Sequence, residues 1–157
     1  MNLPPLEPFD GDWSFYVEKI YKIYLETVVN GKLTVDDYPV KCRFDATSKS
    51  KGFGFWHIVQ EGPTEEERLP DLRRCERIRW VSWLINQLGK DFRITWWEEK
   101  RVNEKCKLLW FEEEDYVIVL ARRKNYWLLK TAYLADKPHK KKQLRRNREI
   151  YWATKKA

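Results

Sequence analysis

Four runs in the second half of the chain decide its fold: Phe92–Glu98 (FRITWWE), Cys106–Glu112 (CKLLWFE), Tyr116–Ala121 (YVIVLA) and Tyr126–Tyr133 (YWLLKTAY). Each is short and rich in β-branched and aromatic residues, the composition of a strand. The links between them, Lys100–Lys105, Glu113–Asp115 and Arg122–Asn125, are charged or polar and three to six residues long. Parallel neighbours need a crossover of a dozen residues or more, so links this short predict an antiparallel meander.

Outward from the meander, helical periods appear. Residues 1–11 hold three prolines and read as an extended lead-in. Asp12 is placed to cap a helix in which Trp13, Tyr16, Val17, Ile20 and Tyr24 recur at helical spacing, ended by Asn30-Gly31. Asp36–Pro39 reads as a turn. Val40–Ala46 and Phe53–Gln60 flank the polar segment Thr47–Gly52 and predict a hairpin, with His57 on its second strand. A second helix is expected from Asp71, with Leu72, Cys75, Ile78, Val81 and Leu84 as its apolar stripe and Arg73, Arg74, Arg77 and Arg79 on its first half. Four arginines there oppose the helix dipole, so they are either solvated and paired to nearby glutamates or kept for a ligand. Asp136–Pro138 opens a last helix. The expected architecture is one α+β domain, residues 1–157: an antiparallel sheet of about five to six strands, an N-terminal helix, a central Arg-rich helix and a basic C-terminal helix.

Charge is concentrated rather than spread. The net charge is +7. Residues 137–157 hold nine Lys or Arg against one acid, and residues 1–136 hold 22 against 23. A chain-wide polyanion trap is thereby excluded, while a local basic element, Lys140, Lys141, Lys142, Arg145, Arg146 and Arg148, is expected to contact RNA. Cys42, Cys75 and Cys106 are odd in number and widely spaced, which fits reduced thiols and a cytoplasmic location. Two histidines and no thiol cluster leave almost no zinc ligands. Glu112–Asp115 is an acidic cluster, but adjacent residues at a strand turn splay apart, and no metal or cofactor is expected. Neither a transmembrane run nor a signal peptide is expected, and so no membrane partner. No Walker, GxSxG, HExxH or Rossmann motif is present.

Two RNA readings compete. Lys51-Gly52-Phe53-Gly54-Phe55 matches the first five positions of the RNP1 strand of RNA-recognition motifs, whose rings stack on unpaired bases. The match fails at Trp56 and Ile58, and three further strands after residue 105 have no place in that fold. The other reading is a small ribonuclease. RNA carries its own nucleophile, so cleavage needs a base, an acid and cations for the phosphorane, without a metal. One strand-borne histidine, an arginine-rich helix and the hydroxyls of Thr131 and Tyr133 suit that scheme.

Three segments carry a resemblance: Phe55-Trp56-His57-Ile58, Leu69–Trp80 with its R-x-x-R-I-x-W pattern, and Tyr126–Tyr133 followed by a basic stretch. Together, across roughly residues 13–152, the chain resembles the phage and mobile-element branch of the barnase–EndoU–colicin–RelE nucleases. The resemblance implies an α+β fold with N-terminal helices on an antiparallel sheet, and metal-independent RNA cleavage, often by a toxin. It implies His57, Arg74, Arg77, Thr131 and Tyr133 as the active-site set, and an acidic antitoxin or immunity protein as partner. The alternatives are a non-catalytic single-stranded RNA-binding module and a structural or interaction protein of a phage-like element.

Overall fold

The structure, a computed structural model, describes residues 2–62 and 64–156. It is α+β: five helices and a curled, mostly antiparallel six-stranded sheet. Helix α1 spans Trp13–Tyr24, and the Asp12 carboxylate accepts from Phe15 N at its start. A widened π turn, Leu25–Val29, prolongs it and closes on a 2.9 Å bond from Asn30 N to Leu25 O. The lead-in before α1 is irregular but tied down, since Tyr16 donates to Glu7 O and the Trp80 indole donates to Pro4 O.

The meander forms as its links predict. Strands β5 (Ile94–Arg101), β6 (Glu104–Phe111), β7 (Tyr116–Arg122) and β8 (Trp127–Leu134) pair in sequence, all antiparallel. Two short strands, β1 (Thr34–Val35) and β2 (Tyr38–Cys42), extend the sheet. Asp36 and Asp37 both take positive φ between them, the tight turn that matches strand twist. Strand β2 then adds to β8 in parallel, giving the order β1-β2-β8-β7-β6-β5.

Both faces of the sheet are covered, which is why β7 reads as an unbroken apolar run. Tyr116, Ile118 and Leu120 join a core beneath α1 and the central helices, while Val117, Val119 and Ala121 join a second core with Trp97, Leu108 and Trp110. Leu144 of helix α5 (Pro138–Lys156) seals the second core. In β8 the pairing steps from Leu120↔Leu129 to Val119↔Thr131, so Lys130 is an extra residue and the strand bends there.

Two expectations are overturned. Phe53–Gln60 is not a strand: Phe53–Val59 is helix α2, packed against β8, and the hairpin with Val40–Ala46 does not form. Phe55, Trp56, Ile58 and Val59 are buried, the i, i+1, i+3, i+4 pattern of a helix face, which outweighs the equally visible alternation of Phe53, Phe55, His57 and Val59. Gly54 fits the helix rather than an RNP1 strand. A Cβ there would lie 3.1 Å from Arg43 O and 3.2 Å from the Tyr24 hydroxyl, so glycine lets α2 sit this close where a side chain would push its neighbours back by a few tenths of an ångström. Nor is the Arg-rich helix continuous. It divides into α3 (Leu72–Glu76), capped by Asp71, and α4 (Trp80–Gln87), with Arg77 leaving helical geometry at φ −97°, ψ 19°. Short segments Gln60–Glu61 (β3) and Leu69–Pro70 (β4) pair just before α3.

Candidate nucleic-acid interface

A cleft of about 870 Å³ opens where the end of β8 meets α3, the β5–β6 turn and the head of α5. Five cations line it, Arg73, Arg74, Arg101, Lys137 and Lys140, against three carboxylates, Glu61, Asp71 and Asp136. Tyr133 lies among them.

Each cleft group has a local reason for its position. Asp71 caps α3, accepting from Arg73 N at 2.9 Å and Arg74 N at 3.4 Å. Arg74 then points back across the end of α2, giving Nη1 to Gln60 O at 2.5 Å and lying 3.6 Å from Asp71 through Nε. Arg73 bridges to Asp136 at 2.7 Å, tying α3 to the segment that leads into α5. Arg101 is held from the far side of the cleft. Its Nε donates to Glu99 at 3.0 Å, and Glu99 also accepts from the Trp97 indole and from Asn147. Burial works against the Arg101 charge, but the Glu99 carboxylate and the adjacent Tyr133 oxygen more than offset it, so the guanidinium is held firmly charged.

The remaining groups are open. Lys137 and Lys140 are exposed and make no ion pair among the described residues. Glu61 is the one lining carboxylate that neither caps a helix nor pairs with a cation among the described residues. The head of α5 has Pro138 in its first position and no acid in its first turn, and Asp136 just before it is the nearest carboxylate in sequence to its positive dipole end.

The expected active-site set is only partly brought together. Arg74 and Tyr133 line the cleft. Thr131, two residues before Tyr133, spends its hydroxyl on His57 O at 2.8 Å, pinning α2 to β8. The His57 ring stacks on Phe53 at 4.1 Å and does not line the cleft; its carbonyl, not its imidazole, meets Thr131. Arg77 donates to Arg73 O at 2.9 Å and sits over the Trp80 ring at 4.9 Å, also outside the cleft lining. The i, i+3 face shared by Arg74 and Arg77 is lost because α3 stops between them. Both guanidinium groups nonetheless act on the buried Tyr116 hydroxyl, whose pKa burial pushes up and they pull back.

The basic tail divides into ion-paired and unpaired cations. Lys141 pairs with Asp115 at 2.8 Å, and Arg145 and Arg148 both hold Glu112, at 2.8 and 3.1 Å. The acidic cluster of the β6–β7 link is thus the anchor of α5. Burial raises the Glu112 pKa, but hydrogen bonds from Arg145 and Arg148 outweigh it and hold the carboxyl below the usual range. Lys142 and Arg146 stay exposed without ion pairs among the described residues, and Lys140 joins the cleft.

Sequence reasoning missed Arg101, Glu61 and Lys137. Arg101 and Glu61 belong to charged segments that read as links, and only the fold brings them to one opening. Among the described residues no three His, Cys, Asp or Glu side chains gather to hold a metal, and no helix is long and apolar enough to cross a membrane. No protein-family model, curated protein or solved structure matches the chain.

Proposed function

We propose that the protein binds RNA in this cleft and cleaves it without a metal, by attack of the 2′-hydroxyl on the adjacent phosphodiester. The observation that carries the reading is the convergence of Arg74, Arg101 and Tyr133 from three separate elements on one cationic opening. Arg74 and Arg101 bind the non-bridging oxygens, where negative charge grows in the phosphorane. Glu61 accepts the 2′-hydroxyl proton as the O2′–P bond forms. Tyr133 donates its proton to the 5′-oxygen as the P–O5′ bond breaks, leaving a 2′,3′-cyclic phosphate and a 5′-hydroxyl. Lys137, Lys140 and the free cations of α5 supply affinity for neighbouring phosphates. The resemblance to the barnase–EndoU–colicin–RelE nucleases supports the same chemistry. It brings with it action on cytoplasmic RNA and an acidic antitoxin or immunity protein covering the cleft. In this reading His57 and Thr131 position α2 against β8 rather than touch the phosphate.

One observation favours a second reading, RNA binding without cleavage: among the described residues no imidazole lines the cleft. The two are separated by incubating the protein with total RNA in excess EDTA and mapping the new ends. Cyclic-phosphate ends that vanish in Arg101→Ala and Tyr133→Phe proteins support cleavage. Tight binding with intact RNA supports the second reading. Cutting that requires added Mg²⁺ would remove the proposed mechanism.

A further inference from the structure

At its far end, α5 builds a second feature that the cleft does not use. Trp152 remains 37% exposed although its indole N–H donates to Trp96 O at 2.9 Å. Its ring meets Trp96 edge to face at 4.8 Å and Tyr151 at 5.1 Å. A surface tryptophan fixed by three contacts loses little freedom on meeting a ligand. Beside it lies a pocket of about 420 Å³, lined by Ile94, Thr95, Trp96, Arg148, Glu149 and Trp152. Arg148 is braced by Glu112 and Thr95, so its position is set too. Glu149 makes no ion pair among the described residues and offers a free acceptor at the rim.

We infer that this pocket receives an unpaired nucleobase of a single-stranded RNA. A base presents a flat apolar face with a polar edge. The indole rings match the face, and Arg148, Thr95 and Glu149 match the edge, Glu149 accepting from an exocyclic amino group. Exposed Lys142, Arg146 and Lys155 on the same helix match the phosphates on either side. Alternation of ring and anion is the repeat of a single strand, whereas the bases of a duplex are already stacked and cannot enter. An acidic protein is disfavoured as the occupant of this pocket, because Glu149, without an ion pair among the described residues, stands in its lining and would repel a carboxylate, whereas it accepts from the amino group of a base. The inference rests on RNA being the cleft's ligand and extends it: the substrate class is single-stranded RNA, held at a stacking site separate from the cleft.

The test uses the full chain and a fluorescein-labelled 2′-O-methyl 12-mer, which has no free 2′-hydroxyl to react, single-stranded or annealed to its complement. Trp152→Ala is expected to weaken single-strand binding roughly five- to 100-fold and leave duplex binding unchanged, with Trp152→Phe restoring most of the loss. Photocrosslinking the native protein to the same strand carrying 4-thiouridine is expected to label residues 148–152, a readout that survives if Trp152→Ala misfolds. Equal single-strand binding by Trp152→Ala, or crosslinks confined to the cleft, would overturn the stacking site while leaving the cleft reading intact. No binding of either oligonucleotide by the native protein would remove the RNA reading, and this inference with it.

Discussion

Removing Lys137 and Lys140 together gives a result whose size follows from the structure. Both line the cleft, both are exposed, and neither pairs with a carboxylate among the described residues. Their replacement by alanine therefore leaves no buried charge unpaired and should not unfold the protein. If each lysine contacts one phosphate of a single strand, each contributes ~0.7 to the slope of log affinity against log salt concentration. The Lys137→Ala, Lys140→Ala protein should then show a slope shallower by about 1.4, twice the single-charge value. Affinity should fall most at low salt and converge towards that of the native protein as salt rises. Fluorescence anisotropy with the 2′-O-methyl 12-mer across a salt series measures the slope directly. A Lys22→Ala, Lys90→Ala protein, altered at exposed lysines away from the cleft lining, serves as the control and should keep the native slope. An unchanged slope in the cleft variant, or an equal change in the control, would refute the idea that the cleft is where phosphates bind.

Other outcomes follow from single contacts. Arg74→Ala should weaken RNA binding, whereas Arg77→Ala, outside the cleft lining, should lower the melting temperature and leave affinity within about two-fold. Thr131→Val removes the hydroxyl that ties β8 to α2 and should cost about 1 kcal/mol in denaturant unfolding; an unchanged midpoint would mean the bond contributes nothing. Gly31→Ala should cost roughly 1–3 kcal/mol, because the new Cβ would lie 2.0 Å from Thr27 O and force the end of the widened turn to move. The folded-state pKa of Glu112 is depressed, so its contribution is present above the ordinary carboxylate value of 4.5 and is lost as pH falls through the folded one. Tryptophan fluorescence should therefore report loosening of α5 below about pH 4.5, and Glu112→Gln should flatten that transition.

The meander was legible because its strands are buried on both faces and joined by links too short for crossovers. The same logic does not reach α2. Seven residues, Phe53–Val59, carry a period of two and a helical pattern at once, and the choice is made by Arg43, Tyr24 and β8, which lie elsewhere in sequence. The β1–β2 hairpin escaped notice because β2 is completed by Trp127–Leu129, more than eighty residues later. The site shows the same division. Arg74, Tyr133 and Lys140 stood out through motif and charge density. Arg101 did not, since it is placed by Glu99, Trp97 and Asn147, a network that exists only once α5 has docked on the sheet. His57 drew attention as the chain's strand-borne imidazole, and it is the helical backbone of that residue that the fold uses.

The central claim is that one phosphodiester sits between Arg74, Arg101 and Tyr133. A crystal structure with an RNA oligonucleotide carrying a single 2′-deoxy sugar, which blocks attack at that position, tests it most directly. The expected result is a phosphate within hydrogen-bonding distance of Arg101 and Tyr133, with Arg74 on its other side and Glu61 facing the 2′ position. RNA lying along the outer face of α5 with the cleft vacant would contradict it.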